Sequence, residues 1–216
     1  MKKFIYLILS ALLLVGCVQE SDAFRFKKEY ESLNGKENDK GRDYVNVVIP
    51  EENPMVYANL DTVLKVIESE GIIYFGFDEC PWCRNALPVL IEAATEKEVE
   101  KIYYYDIKDI RDTLILNEDG TITTEKEKSE DYQKIYDALY DSLNEYEGLE
   151  DETIKRLYAP TVFFIKHGKV VGMHESTVES QVDSSIPMTD AQKLELKSIY
   201  SKGIDEVNKE VCDLKC

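Results

Sequence analysis

The spacing of apolar residues predicts alternating strands and helices in the first half of the chain. Residues 44–49 form a short β-prone run, and residues 61–69 carry apolar side chains at helical spacing. Residues 72–77 are an uninterrupted apolar run, typical of a strand covered on both faces. A helix is expected over 80–97 and a second central strand over 101–107. Strands separated by helices favour parallel pairing.

The second half of the chain predicts an antiparallel hairpin and a closing helix. Residues 161–165 and 169–173 are β-prone and flank a turn that contains glycine. Thr189 and Gln192 have the spacing of a capping box, and apolar residues then recur at helical spacing. We therefore expect an α/β fold over residues 44–216, with helices flanking a mixed central sheet.

Two segments do not fit this alternation. Residues 17–43 are polar and charged, and we expect most of them to form a tether, although Phe24, Phe26 and Tyr30 could fold part of it onto the domain. Residues 112–150 combine a hairpin turn with an amphipathic helix. We treat them as an insertion in the same domain, which either borders the site or decorates an edge.

The N-terminus has the layout of a bacterial export signal. Lys2 and Lys3 precede an apolar run that is too short to span a bilayer. The residues Leu14-Val15-Gly16-Cys17 resemble the bacterial lipobox, which implies that residues 1–16 are a signal peptide and that Cys17 carries the lipid. A plain secretory signal is disfavoured because no small-x-small cleavage site follows it. The expected location is the outer face of the cell membrane, and the content of Lys, Asn, Ile and Tyr favours a Gram-positive bacterium.

The net charge of the chain excludes some classes of partner. The formal net charge is −17, and removal of residues 1–16 takes away two lysines and no acid, which makes it −19. Such a surface repels nucleic-acid phosphates and anionic lipid head groups. We therefore expect no nucleic-acid partner, and the membrane is reached through the lipid alone.

The candidate chemistry is concentrated in the motif Cys80-Pro81-Trp82-Cys83. Two cysteines three positions apart at the start of a helix can form and reopen a small disulfide ring, although such a pair alone can also be half of a zinc site. Unpaired N–H groups and the positive end of the helix dipole stabilise a thiolate at Cys80. Cys80 is therefore the expected nucleophile, and Cys83 is the expected resolving thiol.

The neighbours of the motif support it to different degrees. Pro81 suits the first helical turn, where its missing N–H costs nothing. Arg84 could add positive potential at Cys80, but Asp78 and Glu79 oppose it. The net electrostatic effect on Cys80 is left open by the sequence.

Two separated motifs resemble the thioredoxin superfamily. Pro88 follows Cys83 by five positions, as the kinking proline of the family does, and residues 159–170 resemble its proline-threonine strand, turn and returning strand. The resemblance covers roughly residues 44–110 and 155–211 and implies a thioredoxin-like fold. The form Cys-Pro-aromatic-Cys is similar to that of glutaredoxins and bacteriocin-transport accessory proteins.

The same resemblance implies a set of substrate-binding residues. Pro160 would be the cis-proline beside the disulfide, the backbone of Ala159 would pair with an extended substrate, and Trp82 would cover the sulfurs and help to set the redox potential. Thioredoxins carry a buried aspartate six residues before the first active cysteine, whereas this chain has Tyr74 there. Asp106 could replace that aspartate or could be a cap or surface group.

The last two cysteines are one helical turn apart. Cys212 and Cys216 can bridge if the final turn unwinds, so a structural disulfide is expected. A zinc site that combines them with Cys80 and Cys83 is the alternative. The proline-threonine motif and the exported setting disfavour it, and we expect no metal and no cofactor.

The sequence therefore predicts an extracytoplasmic thiol-disulfide oxidoreductase with a redox-active disulfide. Its expected partners are thiols and disulfides of exported proteins or peptides and a redox partner protein, and the direction of exchange is open. The alternative is a redox-inert thioredoxin-like binding or accessory module for peptide export or surface assembly. The intact pair of cysteines argues against it, because binding alone needs neither sulfur.

Overall fold

A five-stranded mixed sheet organises residues 20–209, the part of the chain that the computed structural model describes. In chain order the elements are α1 (Asp22–Glu31), β1 (Met55–Tyr57), α2 (Leu60–Glu68), β2 (Gly71–Gly76), α3 (Pro81–Glu96), β3 (Ile102–Asp106), β4 (Thr113–Leu116), β5 (Ile122–Lys126), α4 (Glu130–Leu139), β6 (Asn144–Glu145), β7 (Lys155–Arg156), β8 (Thr161–Lys166), β9 (Lys169–Glu175) and α5 (Asp190–Asn208). The order in the sheet is β1-β3-β2-β8-β9; β1 and β2 pair with β3 in parallel, and β8 is antiparallel to β2 and β9. The predicted mixed sheet with flanking helices is confirmed.

The central strand β2 divides the core into two layers. Successive side chains of a strand point to opposite faces. Ile72 and Tyr74 therefore enter the core on one face, and Ile73 and Phe75 enter the core on the other. The uninterrupted apolar run follows from this position, because both faces of β2 are covered.

Helices cover both faces of the sheet. Helices α1, α3 and α5 contribute buried side chains to the core on the Tyr74 face, and α2 and α4 do so on the Phe75 face. Ile135 and Leu139 of α4 are buried in that second core. Residues 112–150 are therefore not all an insertion, because α4 is one of the two helices that cover this face of the sheet.

The expected tether is wrong from residue 20 onward. Ser21 caps α1 by accepting the N–H of Phe24, and Phe26 and Tyr30 are 0% exposed. Their spacing of four places both rings on one face of the helix, and Phe26 packs edge-on against Tyr104 at 4.9 Å between ring centroids. Two aromatic side chains in a polar helix are enough to hold it in the core.

The predicted strand over 44–49 is also wrong, although its alternation of buried and exposed residues is real. The backbone groups of this extended segment form hydrogen bonds with side chains and not with a neighbouring strand. Asn34 accepts from the N–H of Val47 at 2.9 Å and donates to its carbonyl at 2.7 Å, and Glu31 accepts from the N–H of Ile49 at 2.8 Å. The first strand of the sheet is β1, further along the chain.

The predicted hairpin and closing helix are confirmed. His167 and Gly168 adopt positive φ in the turn between β8 and β9, and Thr189 and Gln192 form the capping box of α5. Cα of Gly203 in α5 lies close to the ring of Phe164, so the helix packs directly on β8. Among residues 20–209 no helix is both long and apolar enough to cross a bilayer.

Replacement of Phe26 tests whether α1 belongs to the core. Phe26→Ala is expected to lower the free energy of unfolding by about 3 to 5 kcal/mol, because a fully buried ring leaves a cavity. Phe24→Ala, on the same helix but only half-buried, is the matched control and should cost less than about 1 kcal/mol. Urea denaturation measures both. If Phe26→Ala lowered the free energy of unfolding as little as Phe24→Ala, the tether interpretation would stand.

Glu175 makes the stability of the fold dependent on pH. It accepts a hydrogen bond from Asn144, and burial raises the pKa of its carboxyl group from 4.5 to about 7. The folded chain holds a proton there that the unfolded chain loses, so stability falls as pH rises through this window. Glu175→Gln should therefore be more stable than the wild type by about 1 kcal/mol near pH 8 and equal to it near pH 4.

Thermal unfolding at the two pH values measures this difference. Glu179→Gln, which changes an exposed carboxyl group nearby, should show no pH-dependent gain. A gain for Glu175→Gln that is the same at both pH values would contradict the assignment.

Candidate active site

Cys80 occupies the N-cap of α3, directly after the loop that follows β2. Its backbone is extended, with φ −70° and ψ 118°, and its sulfur accepts the N–H of Cys83 at 3.3 Å. Pro81 stands at the first helical position, where no N–H is needed. The end of the central strand thus delivers a thiol to the positive end of a 16-residue helix.

The two cysteines differ in their access to solvent. Both are free thiols, with Cys80 5% exposed and Cys83 0% exposed. The thiol of Cys80 donates to the carbonyl oxygen of Ala159 at 3.4 Å, and the bond from Ala159 to Pro160 is cis. The loop that enters β8 therefore lies against Cys80, and only the outer thiol can meet a second molecule.

An open groove of about 460 Å³ runs past Cys80. It brings together four of the predicted site residues, Cys80, Pro81, Trp82 and Ala159, whereas Pro160 is buried and does not line it. One wall comes from the loop between α1 and the extended segment, which was not expected to reach the site. The wall residues from that loop are Asn38, Asp39, Lys40, Arg42 and Tyr44.

The electrostatic environment separates the two thiols. Burial raises the pKa of Cys80, but hydrogen bonds from Cys83 and the charge of Arg111 outweigh it, and the pKa is lowered overall. Burial raises the pKa of Cys83, and the neighbouring Cys80 raises it further. Cys80 is therefore the thiol that ionises first, as the N-cap position predicts.

Arg111 is the residue that the sequence reasoning missed. It lines the groove, and its guanidinium lies over the ring of Phe77 at 5.0 Å. A signal was present, because β2 and β3 are parallel and their carboxyl ends meet at one edge of the sheet. A basic residue shortly after β3 therefore falls near a cysteine shortly after β2.

The role expected for Arg84 needs correction. Its side chain is buried and donates to the carbonyl oxygens of Val45 at 2.6 Å, Tyr30 at 2.8 Å and Asp78 at 3.1 Å, and to the amide oxygen of Asn34 at 2.7 Å. Arg84 is not among the main groups that shift the pKa of Cys80. It fastens the N-terminal segment to α3, because those acceptors engage its donors.

Tyr74, at the position of the family's buried aspartate, and Asp106, its possible replacement, lie in different environments. Tyr74 is 0% exposed in the core below Cys83. Asp106 is exposed, and its carboxylate accepts the N–H of Lys108 at 2.7 Å in the turn after β3. The structure therefore places Asp106 in the capping position and Tyr74 beside the buried thiol.

Other predicted site residues lie outside the described part of the chain. They are the signal peptide over 1–16, the lipidation candidate Cys17 and the disulfide candidates Cys212 and Cys216. Within residues 20–209 no group of three or more His, Cys, Asp or Glu side chains is arranged to hold a metal ion.

No protein-family model matches this chain, and no curated protein matches it.

Removal of the Arg111 charge tests its effect on Cys80. Arg111→Met is expected to raise the pKa of Cys80 and to slow its alkylation by iodoacetamide at neutral pH, since fewer molecules carry the thiolate. Peptide mass spectrometry separates Cys80 from the other cysteines. Arg42→Met removes the same charge from the same groove and should leave the pH profile nearly unchanged. Identical profiles for the two variants would contradict a specific role for Arg111.

Proposed function

We propose that this chain is a thiol-disulfide oxidoreductase with a thioredoxin-like fold, in which Cys80 is the nucleophile and Cys83 is the resolving thiol. The observation that carries the proposal is the asymmetry of the pair. Cys80 caps a helix in an open groove and has a lowered pKa, whereas Cys83 is sealed in the core and has a raised one. A pair that only stabilised the fold would need no such difference.

The reaction follows from this asymmetry. The Cys80 thiolate attacks a substrate disulfide, forms a mixed disulfide and releases one substrate sulfur as a thiolate, which takes up a proton. Cys83 then loses its proton and attacks the sulfur of Cys80, which closes the Cys80–Cys83 disulfide and releases the second substrate thiol. Two electrons pass from the pair to the substrate, and the reverse sequence oxidises a substrate dithiol.

The arrangement around Cys80 supports an extended peptide as the substrate. The groove exposes Trp82 and the Ala159 segment beside the reactive sulfur, and the loop of residues 38–44 bounds it. By the resemblance noted above, the backbone of Ala159 pairs with the substrate. The sheet order and the contact of Cys80 with the Ala159 carbonyl also support a thioredoxin-like fold.

The cellular setting in this proposal comes from the N-terminal sequence. A lipid on Cys17 holds the domain on the outer face of the membrane, where its substrates are exported proteins or peptides and a second protein restores its redox state. Because α1 packs into the core, the tether predicted for residues 17–43 does not extend past the start of α1 at Asp22.

Fluorescence of the single tryptophan provides the first test. Trp82 lies between the two cysteines, so its emission should change reversibly in a graded dithiol/disulfide buffer, with a midpoint between about −270 and −120 mV. Cys80→Ser should abolish the transition. The double variant Cys212→Ser, Cys216→Ser is the control and should retain it. A chain without any transition would be the redox-inert accessory module instead.

A further inference from the structure

Three buried tyrosines near Cys83 leave their hydroxyl groups unpaired. Tyr30, Tyr74 and Tyr200 are 0% exposed, and within residues 20–209 their hydroxyls make no hydrogen bond of ordinary length and angle, although the Tyr74 hydroxyl interacts with both the Cys83 thiol and the Tyr30 hydroxyl. An unpaired buried polar group costs about 1 to 3 kcal/mol, so folded proteins contain few of them. Three around one thiol indicate a role that phenylalanine, with the same shape, would not fulfil.

All three tyrosines belong to the same packed core cluster as Cys83. Burial raises the pKa of each phenol, and Cys83 raises each one further. The Tyr74 hydroxyl also acts in the opposite direction on Cys83, since it lowers a thiol pKa that burial has raised. Tyr74 is thus the hydroxyl that stabilises the ionised form of Cys83.

A continuous set of phenols leads from Tyr74 to a carboxyl group. Besides burial, the pKa of Tyr30 responds to Tyr74 and Tyr104. The ring of Tyr104 lies 5.9 Å from that of Tyr74 and 6.2 Å from that of Tyr30, and its hydroxyl donates to the Glu29 carboxylate at 3.2 Å. Glu29 lies on α1 and is half-buried, so it connects this set of phenols with solvent.

The resolving step requires such a connection. Cys83 must lose its proton before it attacks the mixed disulfide, and as a group with no exposed surface it has no base from solvent within reach. A phenol can accept a proton on its oxygen and donate its own, so a chain of phenols carries a proton without any ring holding the charge. Burial raises the pKa of Glu29, which makes its carboxylate a better final acceptor.

We propose that Tyr74, Tyr30 and Tyr104 relay the proton of Cys83 to the carboxylate of Glu29 during resolution of the mixed disulfide. Cys83 loses one proton, each phenol receives one and passes one on, and Glu29 gains one and releases it to solvent. The proposal rests on the proposed function, because a chain that forms no mixed disulfide has no such step.

The charged and titratable groups around Glu29 set the pH at which the relay operates. Tyr57 of β1 and Tyr104 of β3 donate hydrogen bonds to its carboxylate and lower its pKa. The carboxylates of Asp78, in the loop before α3, and Asp106, after β3, raise it. Burial outweighs the two hydrogen bonds, and the pKa is raised overall.

Tyr200 supplies the matched control. Its hydroxyl is as buried and unpaired as that of Tyr74 and its pKa also responds to Cys83, but its aromatic neighbour is His174, edge-on at 5.6 Å. No described contact joins Tyr200 to Glu29. Loss of the Tyr200 hydroxyl therefore perturbs the core near Cys83 without interrupting the relay.

Stopped-flow reaction with an aromatic disulfide that releases a coloured thiol separates the two steps. The full chain is used with Cys17, Cys212 and Cys216 replaced by serine, so that Cys80 and Cys83 alone react. The first phase depends on reagent concentration and reports the attack of Cys80. The second phase is independent of concentration and reports the attack of Cys83 on the mixed disulfide.

We expect the relay variants to slow only the second phase. Tyr74→Phe, Tyr30→Phe, Tyr104→Phe and Glu29→Gln should each reduce its rate at neutral pH by about tenfold or more, the range of a positioned proton transfer. In the parent chain this rate should rise with pH as Glu29 ionises. In Glu29→Gln that rise should disappear. Tyr200→Phe should change neither phase, and thermal unfolding should show that Tyr74→Phe and Tyr200→Phe are at least as stable as the parent.

Two results would overturn the relay while leaving the proposed function intact. One is an unchanged second phase in Tyr74→Phe and Glu29→Gln. The other is an equal slowing in Tyr200→Phe, which would assign the effect to core packing. A parent chain with no second phase at any pH would instead overturn the proposed function, and the relay with it.

Discussion

A buried guanidinium, that of Arg84, holds the N-terminal segment against the helix that carries the cysteines. A buried charge is stable only when its donors are paired, and loss of a partner costs roughly 3 to 5 kcal/mol. Arg84 meets this requirement with acceptors from α1, from the loop after α1, from the extended segment and from the loop before α3. Removal of that segment would leave the charge unpaired next to the start of α3.

The site depends on the same attachment. Because α1 is held in place, Tyr30 completes the packing beneath Cys83, and Glu29 reaches the hydroxyl of Tyr104. The loop after α1 then forms one wall of the groove at Cys80. The N-terminal segment therefore contributes to both sides of the proposed chemistry, the groove at Cys80 and the environment of Cys83.

The difference between the two thiols arises from their position relative to one helix end. Cys80 at the N-cap receives an N–H group and the helix dipole, and the nearby Arg111 adds a positive charge. Cys83 lies one turn further in, surrounded by core side chains. Three residues of separation are enough to lower one pKa and raise the other, because hydrogen bonds and the charge of Arg111 outweigh burial at Cys80, whereas burial dominates at Cys83.

Local patterns in the sequence were sufficient for most of the elements and for the reactive pair. The apolar run of β2, the capping box at Thr189 and the turn at Gly168 depend on neighbouring residues, and each is where the pattern predicts it. Cys80 and Cys83 could be assigned for the same reason, since the N-cap effect is local to the start of α3.

Tertiary contacts determine the features that local patterns in the sequence do not predict. Residues 44–49 alternate like a strand, but side chains from α1, the loop after it and α3 take their backbone hydrogen bonds. Phe26 and Tyr30 are too few to predict a core helix, and their packing against Tyr104 of β3 is what places α1 in the core. Arg111 and Glu29 lie far from Cys80 and Cys83 in sequence, so only the packing of the sheet and α1 brings them to the thiols. Local signals determine elements because they act within one turn or strand, whereas the pairing of distant charges and hydroxyls is set by the fold.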